Sequence, residues 1–302
     1  MVHEETVAVK RGNRLGIGVF RLSARAFGLR GAYGLLYIVC LYYLAFDRQA
    51  RSSSLAYLRR RFPEHGRLRL LRDAYRLLIE QGKSLVDRYA ILAGAETLDV
   101  RLEASETRDR VLADKTKGFI LLTAHIGNWQ AAMFALRRFG RTVHVMMRPE
   151  DNAAVRDSLK LEGAEERVRF LFTDDSLGGV IEAMKAIERG EIVSIMGDRA
   201  YEYAAADVSF LGGTVRFPVG AFTIAAAAKC PLVVLLSART GVNRYSVDVS
   251  RQIEPPAGRR KEKDAAIRAA VQEFARVLEE YVAEHPYQWF AFRDLCADAA
   301  EQ

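Results

Sequence analysis

The sequence predicts an α/β fold, a mostly parallel central sheet flanked by helices, preceded by an N-terminal helical, membrane-associating segment. Three observations lead there. From about residue 98 onward, short apolar runs of strand length alternate with stretches of helical periodicity. Such alternation makes a mostly parallel sheet the default. Before that point the pattern is helical from Arg14 to about residue 95. The first part also joins a basic excess to the most apolar stretch of the chain: residues 1–90 carry 17 Lys and Arg against 7 Asp and Glu, whereas the remaining 212 carry 28 against 31. The chain therefore divides into a helical membrane-associating region, 1–95, and an α/β domain, 96–302.

Residues 1–13 are polar. From Arg14 to Arg30 apolar residues recur among Arg21, Arg25 and Arg30, as in a basic amphipathic helix. Gly31 to Phe46 then runs without a charge. As a helix that run covers about 24 Å, short of the ~30 Å hydrocarbon core. Arg30 and Arg48 flank it, and its tyrosines suit a headgroup boundary. It reads first as an interfacial or shallowly inserted helix and second as a tilted span, with a buried core helix as the remaining alternative. No small-residue cleavage site follows, so it is not a cleaved signal peptide. Pro63 disfavours helix at Phe62 and ends the next helix there. Leu68 to Leu92 carries a core-facing stripe through Leu70, Leu77 and Val86.

In the second part, Phe119 to Leu122 reads as a buried strand. Gly127-Asn128 ends it, with Asn128 as N-cap of a helix from Trp129. Thr142–Met147 is the next strand, followed by a helix at about 151–162 and the short strand Val168–Phe172. Ser176 caps a helix over 177–189, which Gly190 ends. Glu191–Met196 is another buried strand, terminated by Gly197-Asp198-Arg199. An Ala-rich helix over 219–229 leads to the strand Pro231–Ser237, then to Tyr245–Ile253, and a long amphipathic helix over 264–284 closes the domain.

Composition narrows the function. The three cysteines are far apart and match no metal or redox spacing; they read as reduced thiols facing the cytoplasm. The five histidines form no ligand pair at helical spacing, so neither a metal nor a cofactor is expected. No helix-turn-helix, zinc or RNA-binding signature accompanies the basic region, which argues against nucleic acid. An anionic membrane surface is the better partner, because charge and apolar surface coincide. A G-x-S-x-G elbow is missing, which removes a serine hydrolase of the α/β type.

His125 is the residue that carries chemistry. It sits where a predicted parallel strand gives way to a helix, the end of an open α/β sheet where ligands bind. An imidazole titrates near neutrality, so it can take a proton from an attacking hydroxyl or amine. The alternative is a histidine that only ties down a strand end.

The stretch Thr123-Ala124-His125-Ile126-Gly127-Asn128-Trp129-Gln130 resembles the signature of the lipid A biosynthesis (lauroyl/myristoyl) acyltransferase family, within the lysophospholipid acyltransferase superfamily. Further similar segments follow in order: Arg60-Arg61-Phe62-Pro63-Glu64, Gly197-Asp198-Arg199, Asp207 to Gly213, Pro218-Val219-Gly220, and His285-Pro286-Tyr287-Gln288-Trp289-Phe290. The match runs from about residue 30 to 294. It implies transfer of a fatty acyl group from an acyl carrier protein or coenzyme A thioester to a lipid or glycolipid acceptor, at the cytoplasmic face of a bacterial inner membrane, with His125 as general base. The helix start at Asn128–Trp129 would offer backbone N–H groups to phosphate or to the developing oxyanion. Arg148 and Arg199, at strand ends, are candidate phosphate contacts, while Trp129 and Trp289 read as core.

The family motif places Glu or Asp where this sequence has Gln130. A glutamine can orient the imidazole but brings no charge to stabilise the imidazolium. One reading is that another carboxylate serves His125, with Asp198 and Asp207 as candidates. A second is a slow enzyme, or an acceptor needing less help from the base. A third is a non-catalytic lipid-binding relative.

Overall fold

A computed structural model of the chain describes residues 14–92, 98–129, 132, 140–147, 168–172, 178–200 and 204–290. Three helices lead: α1 (Arg14–Phe46), α2 (Arg48–Arg61) and α3 (Arg67–Leu92). α1 contains both the basic amphipathic stretch and the uncharged run, and it bends at Gly28, whose φ of 64° suits a residue without a Cβ. Its Ala26–Phe46 portion is long and apolar enough to cross a membrane. Asp47 caps α2 by accepting from the Ala50 N–H at 2.8 Å. α2 stops at Arg61, ahead of Pro63.

The α/β part contributes β1 (Asp99–Leu102), α4 (Glu106–Ala113), β2 (Phe119–Thr123), β3 (Val143–Met147), β4 (Val168–Phe172), α5 (Gly178–Glu188), β5 (Ile192–Met196), β6 (Ala205–Phe210), β7 (Gly213–Pro218), α6 (Gly220–Ala228), β8 (Leu232–Gly241), β9 (Arg244–Ile253) and α7 (Arg260–Glu284). Seven strands form one sheet in the order β1-β9-β8-β2-β5-β3-β4. β8, β2, β5, β3 and β4 all run parallel; β9 turns back antiparallel to β8, and β1 follows β9. The fold is thus α/β with a mostly parallel sheet flanked by helices, as the sequence predicts.

Both faces of the sheet are buried, which explains why β2 and β5 read as unbroken apolar runs. Ile120, Leu122, Val193 and Leu232 point into one core with α2, α6 and α7. Phe119, Leu121, Ile192 and Val233 point into another, beneath Tyr245 and Val247. α3 is shared. Leu70, Ala74 and Leu77 join the first core, whereas Ile79 and Val86 pack against Leu29, Ala32, Leu36 and Cys40 of α1. α3 therefore lies between the main domain and α1.

The observed elements depart from the expected map in three places. β1 and α4 occupy a stretch with no predicted element; α4 starts at Ser105, whose Oγ accepts from the Arg108 N–H at 3.1 Å. The segment 205–218 is a hairpin, closed by Leu211-Gly212, both at positive φ as a two-residue hairpin turn requires. β8 also extends past Ser237 to Gly241, held by its long antiparallel pairing with β9. The predicted helix at 151–162, the Ser176 cap, Gln130 and Arg148 lie outside the described residues.

Candidate active site

β2 and β5 are sheet neighbours in register, with Thr123 opposite Met196. Each strand runs on by two residues, to His125 and to Asp198, so the two side chains arrive together at the carboxyl end of the sheet. The Gly197 N–H continues the ladder to the Thr123 carbonyl at 2.9 Å. The approach is close: a Cβ on Gly197 would come within 2.7 Å of the Leu122 side chain and 2.9 Å of the Phe274 ring, one of which would have to shift.

The Asp198 carboxylate is wholly buried and accepts three hydrogen bonds. Its Oδ1 lies 2.7 Å from His125 Nδ1. Its Oδ2 accepts from the His125 backbone N–H at 2.9 Å and from the Trp289 indole N–H at 3.0 Å. Burial by itself raises the pKa of this carboxyl. The charge and hydrogen bond of His125, with the Arg199 charge beyond, outweigh that and hold it well below the usual carboxylate range. An ionised carboxylate can only accept, so Nδ1 carries a proton and a neutral imidazole leaves its lone pair on Nε2. The His125 side chain keeps 27% of its surface exposed while Asp198 keeps none. With Nδ1 held by Asp198, Nε2 is the ring nitrogen left to meet a substrate.

The loop after His125 is held from three directions. Gly127 has a φ of 60°, and a Cβ there would fall 2.0 Å from the Ser237 carbonyl oxygen of β8. Ser237 Oγ accepts from the Asn128 N–H at 3.2 Å. From α3, Ser84 Oγ donates to the Gly127 carbonyl at 2.9 Å. From the C-terminal side, Phe290 N–H donates to the His125 carbonyl at 2.9 Å and Gly127 N–H to the Gln288 carbonyl at 2.8 Å. These constraints fix the backbone that carries the imidazole.

The residues singled out from sequence fall in different places. His125 and Asp198 meet. Asp207 sits on the outer face of β6, 71% exposed and 3.9 Å from Arg216, so its carboxylate is not brought to His125. Asn128 is buried, at 2% exposure, with its amide directed at the Ser84 carbonyl. Its own N–H is engaged by Ser237 Oγ at 3.2 Å. Arg199 donates to the Phe290 carbonyl, and its charge bears on Asp198. Gln130 and Arg148 lie outside the described residues.

Sequence reasoning missed Trp289 as a partner of Asp198. The indole is 3% exposed and packs edge-on against Tyr57 and Phe210, with centroids 5.1 and 5.2 Å away, so a core assignment describes its ring but not its N–H. A buried indole normally finds an acceptor. That rule, applied to a terminal tryptophan beside a candidate buried carboxylate, was the available signal.

No curated protein matches the sequence. Among solved structures, the chain is similar to the 1-acyl-sn-glycerophosphate (LPA) acyltransferase PlsC from Thermotoga maritima, with 16% identity over 85% of this chain and 97% of that one and a TM-score of 0.38. A likeness that distant has no bearing on function. Residues 88–295, which hold the whole β-sheet together with His125, Asp198 and Trp289, match the family described as bacterial lipid A biosynthesis acyltransferase. The chain belongs to that family, and so is an acyltransferase acting on lipid substrates.

Proposed function

We propose that the protein transfers a fatty acyl group from a thioester, carried by acyl carrier protein or coenzyme A, to a hydroxyl of a lipid or glycolipid, with His125 as general base. The observation that carries this reading is the His125–Asp198 pair, set at the ends of adjacent parallel strands, with Nδ1 engaged by the carboxylate and the imidazole partly exposed. As the acceptor hydroxyl attacks the thioester carbonyl, Nε2 takes its proton and a C–O bond forms. Collapse of the tetrahedral intermediate breaks the C–S bond, and the leaving thiolate takes the proton back from the imidazolium. Asp198 stabilises that imidazolium and fixes the tautomer that precedes it. It gives His125 the carboxylate that Gln130 does not, which weighs against a relative that merely binds lipid.

Association with the cytoplasmic face of the bacterial inner membrane belongs to the same reading. One side of α1 is packed on α3, and its outer side leaves Phe27, Ile38, Leu41, Tyr42 and Phe46 exposed. A helix docked along one face to a charged helix is better suited to lie in an interface than to cross a bilayer alone. The domain division at residue 95 fits as a functional one: membrane contact before it, chemistry after it.

The test is His125→Ala, assayed with an acyl carrier protein thioester and a lipid acceptor by mass spectrometry of the product. Loss of transfer with an unchanged melting temperature is expected, since the side chain stands at a strand end and only partly in the core. Wild-type turnover in the variant would remove the general-base role.

A further inference from the structure

A second site lies away from the dyad, in a cleft of about 460 Å³ between α1 and α3. Arg69, Arg72, Arg76 and Lys83 recur at helical spacing along one face of α3 and line it. Tyr37 of α1 and Tyr287 form other walls. The Tyr75 hydroxyl donates to the Tyr37 carbonyl at 2.8 Å and ties the two helices together at this point.

Two carboxylates share the cleft, and both are engaged. Asp73 lies 2.7 Å from His65 Nδ1 and accepts from the Tyr287 hydroxyl at 2.8 Å. Glu80 pairs with Lys83 at 3.2 Å and also with Arg239. Among the described residues neither one neutralises Arg69, Arg72 or Arg76. The Arg76 guanidinium rests over the Tyr287 ring at 4.2 Å, which holds it in place. The cleft is therefore a cationic site with built walls. Next to Tyr37, which is 45% exposed, α1 carries apolar side chains in the open: Ile38 is 71% exposed, and Leu41, one turn on from Tyr37, is 57% exposed.

We propose that this cleft binds the phosphate-bearing headgroup of an anionic membrane lipid, one that is neither acyl donor nor acceptor in the reaction. Arginines suit a phosphate, for their donors match its oxygens. A free phosphate would use the cations but not the tyrosine walls or the exposed apolar side chains of α1. A lipid uses all three, with its headgroup in the cleft and its chains running along the outer face of α1. The inference rests on the membrane association proposed above.

The experiment uses full-length protein in a His125→Ala background, so that turnover plays no part, and measures flotation with vesicles. Phosphatidylcholine alone reads the apolar contribution of α1; adding phosphatidylglycerol reads the cleft. Arg69→Gln/Arg72→Gln, both at exposed positions, should lose most of the gain due to phosphatidylglycerol, roughly a 10- to 30-fold weaker partition. Lys261→Gln/Arg268→Gln on α7 removes the same charge elsewhere and should cost much less. Equal loss in the two variants would reduce the effect to diffuse attraction and overturn the site. Saturable calorimetric binding of inorganic phosphate, with vesicle partition unchanged in the cleft variant, would assign the cleft to the free ion and also overturn it. Unchanged partition with a raised KM for the acyl carrier protein thioester, in otherwise wild-type enzyme, would assign it to that acidic carrier instead. Failure of the unsubstituted protein to float on either vesicle would overturn the membrane association itself.

Discussion

An imidazole serves as a base through one nitrogen only while something keeps the proton on the other. Asp198 is placed to do that, and its ionised state is what makes the placement useful. Asparagine at 198 would remove the charge and could present its NH₂ to Nδ1, favouring the wrong tautomer. Asp198→Asn should therefore lower turnover on the order of 10²–10⁴. Asp207→Asn should leave turnover within about twofold, since that carboxylate faces solvent beside Arg216. In the same steady-state assay Gln130→Glu should change little or reduce the rate; a large gain would mean that the relay had simply lost a carboxylate. Stability carries a second signature. A carboxyl depressed in the folded protein contributes stability that is full above its unfolded value of 3.8 and is lost as pH falls from there through the folded value. The gap in urea midpoint between wild type and Asp198→Asn should then narrow as the pH drops below about 3.8. His125 and Asp198 were each legible as strand-end residues. Their contact was not, because β2, β3, β4 and β5 follow one another in sequence while the sheet sets β2 beside β5. The strand that carries Asp207 was the part of its setting that the sequence reading left out. The alternation of buried Ala206, Val208 and Phe210 puts Asp207 on the outside, a period-2 pattern present in the sequence all along.

At the scale of elements, the six residues after α7 have the most consequence for their length. They leave the helix at His285 and cross the carboxyl end of the sheet, bridging Ile126 to Trp289. Tyr57 Oη donates to the Pro286 carbonyl at 2.6 Å, and Gln288 exchanges hydrogen bonds with the Arg239 backbone at 2.7 and 3.0 Å. The strap is thereby fixed to α2 and to β8, and it delivers the Trp289 N–H to Asp198. Trp289→Phe would keep most of the ring and remove that donor. A hydrogen bond to a buried charge contributes about 1.5–3 kcal/mol, so the variant should unfold at lower denaturant. The same loss loosens the carboxylate that orients His125. Turnover should fall about tenfold with KM little changed, which separates positioning from substrate binding. An unchanged kcat would leave Trp289 with a packing role alone. The elements themselves were mostly readable, because β2, β3, β4, β5 and β9 are apolar or alternating runs between turn residues. β1 and α4 were not. β1 is short and half charged and lies at the sheet edge, where pairing with β9 and not its own hydrophobicity makes it a strand.

Across the whole molecule, the N-terminal helices are built into the main core on one side and open to the surroundings on the other. Tyr57 and Leu58 of α2 and Leu77 of α3 are buried with the sheet, so the helical region is not a detachable appendage. The division at residue 95 was read from the basic excess and the apolar run of the N-terminal part. It was silent about this shared core, since periodicity says which face of a helix is apolar and not what covers it. A buried polar contact strengthens the join: Asp87 of α3 accepts from Tyr33 of α1 and from Tyr245 of β9. Burial pushes the Asp87 carboxyl upward, against the hydrogen bonds of both tyrosines and the Arg239 charge, which lower it. α1 is thus fixed by its inner face, and its outer face can be changed without disturbing that contact. Ile38→Glu/Leu41→Glu places two carboxylates on the outer face, where the native side chains are 71% and 57% exposed. The melting temperature should hardly move, because little native burial is lost. Partition into phosphatidylcholine vesicles should collapse, as apolar burial is removed and charge would have to enter the interface. Transfer to an acceptor embedded in vesicles should fall with it, whereas transfer to the same acceptor dispersed in detergent should persist at near wild-type turnover. That split between the two presentations is the outcome that matters: equal activity on both would mean that α1 does not bring the enzyme to its substrate.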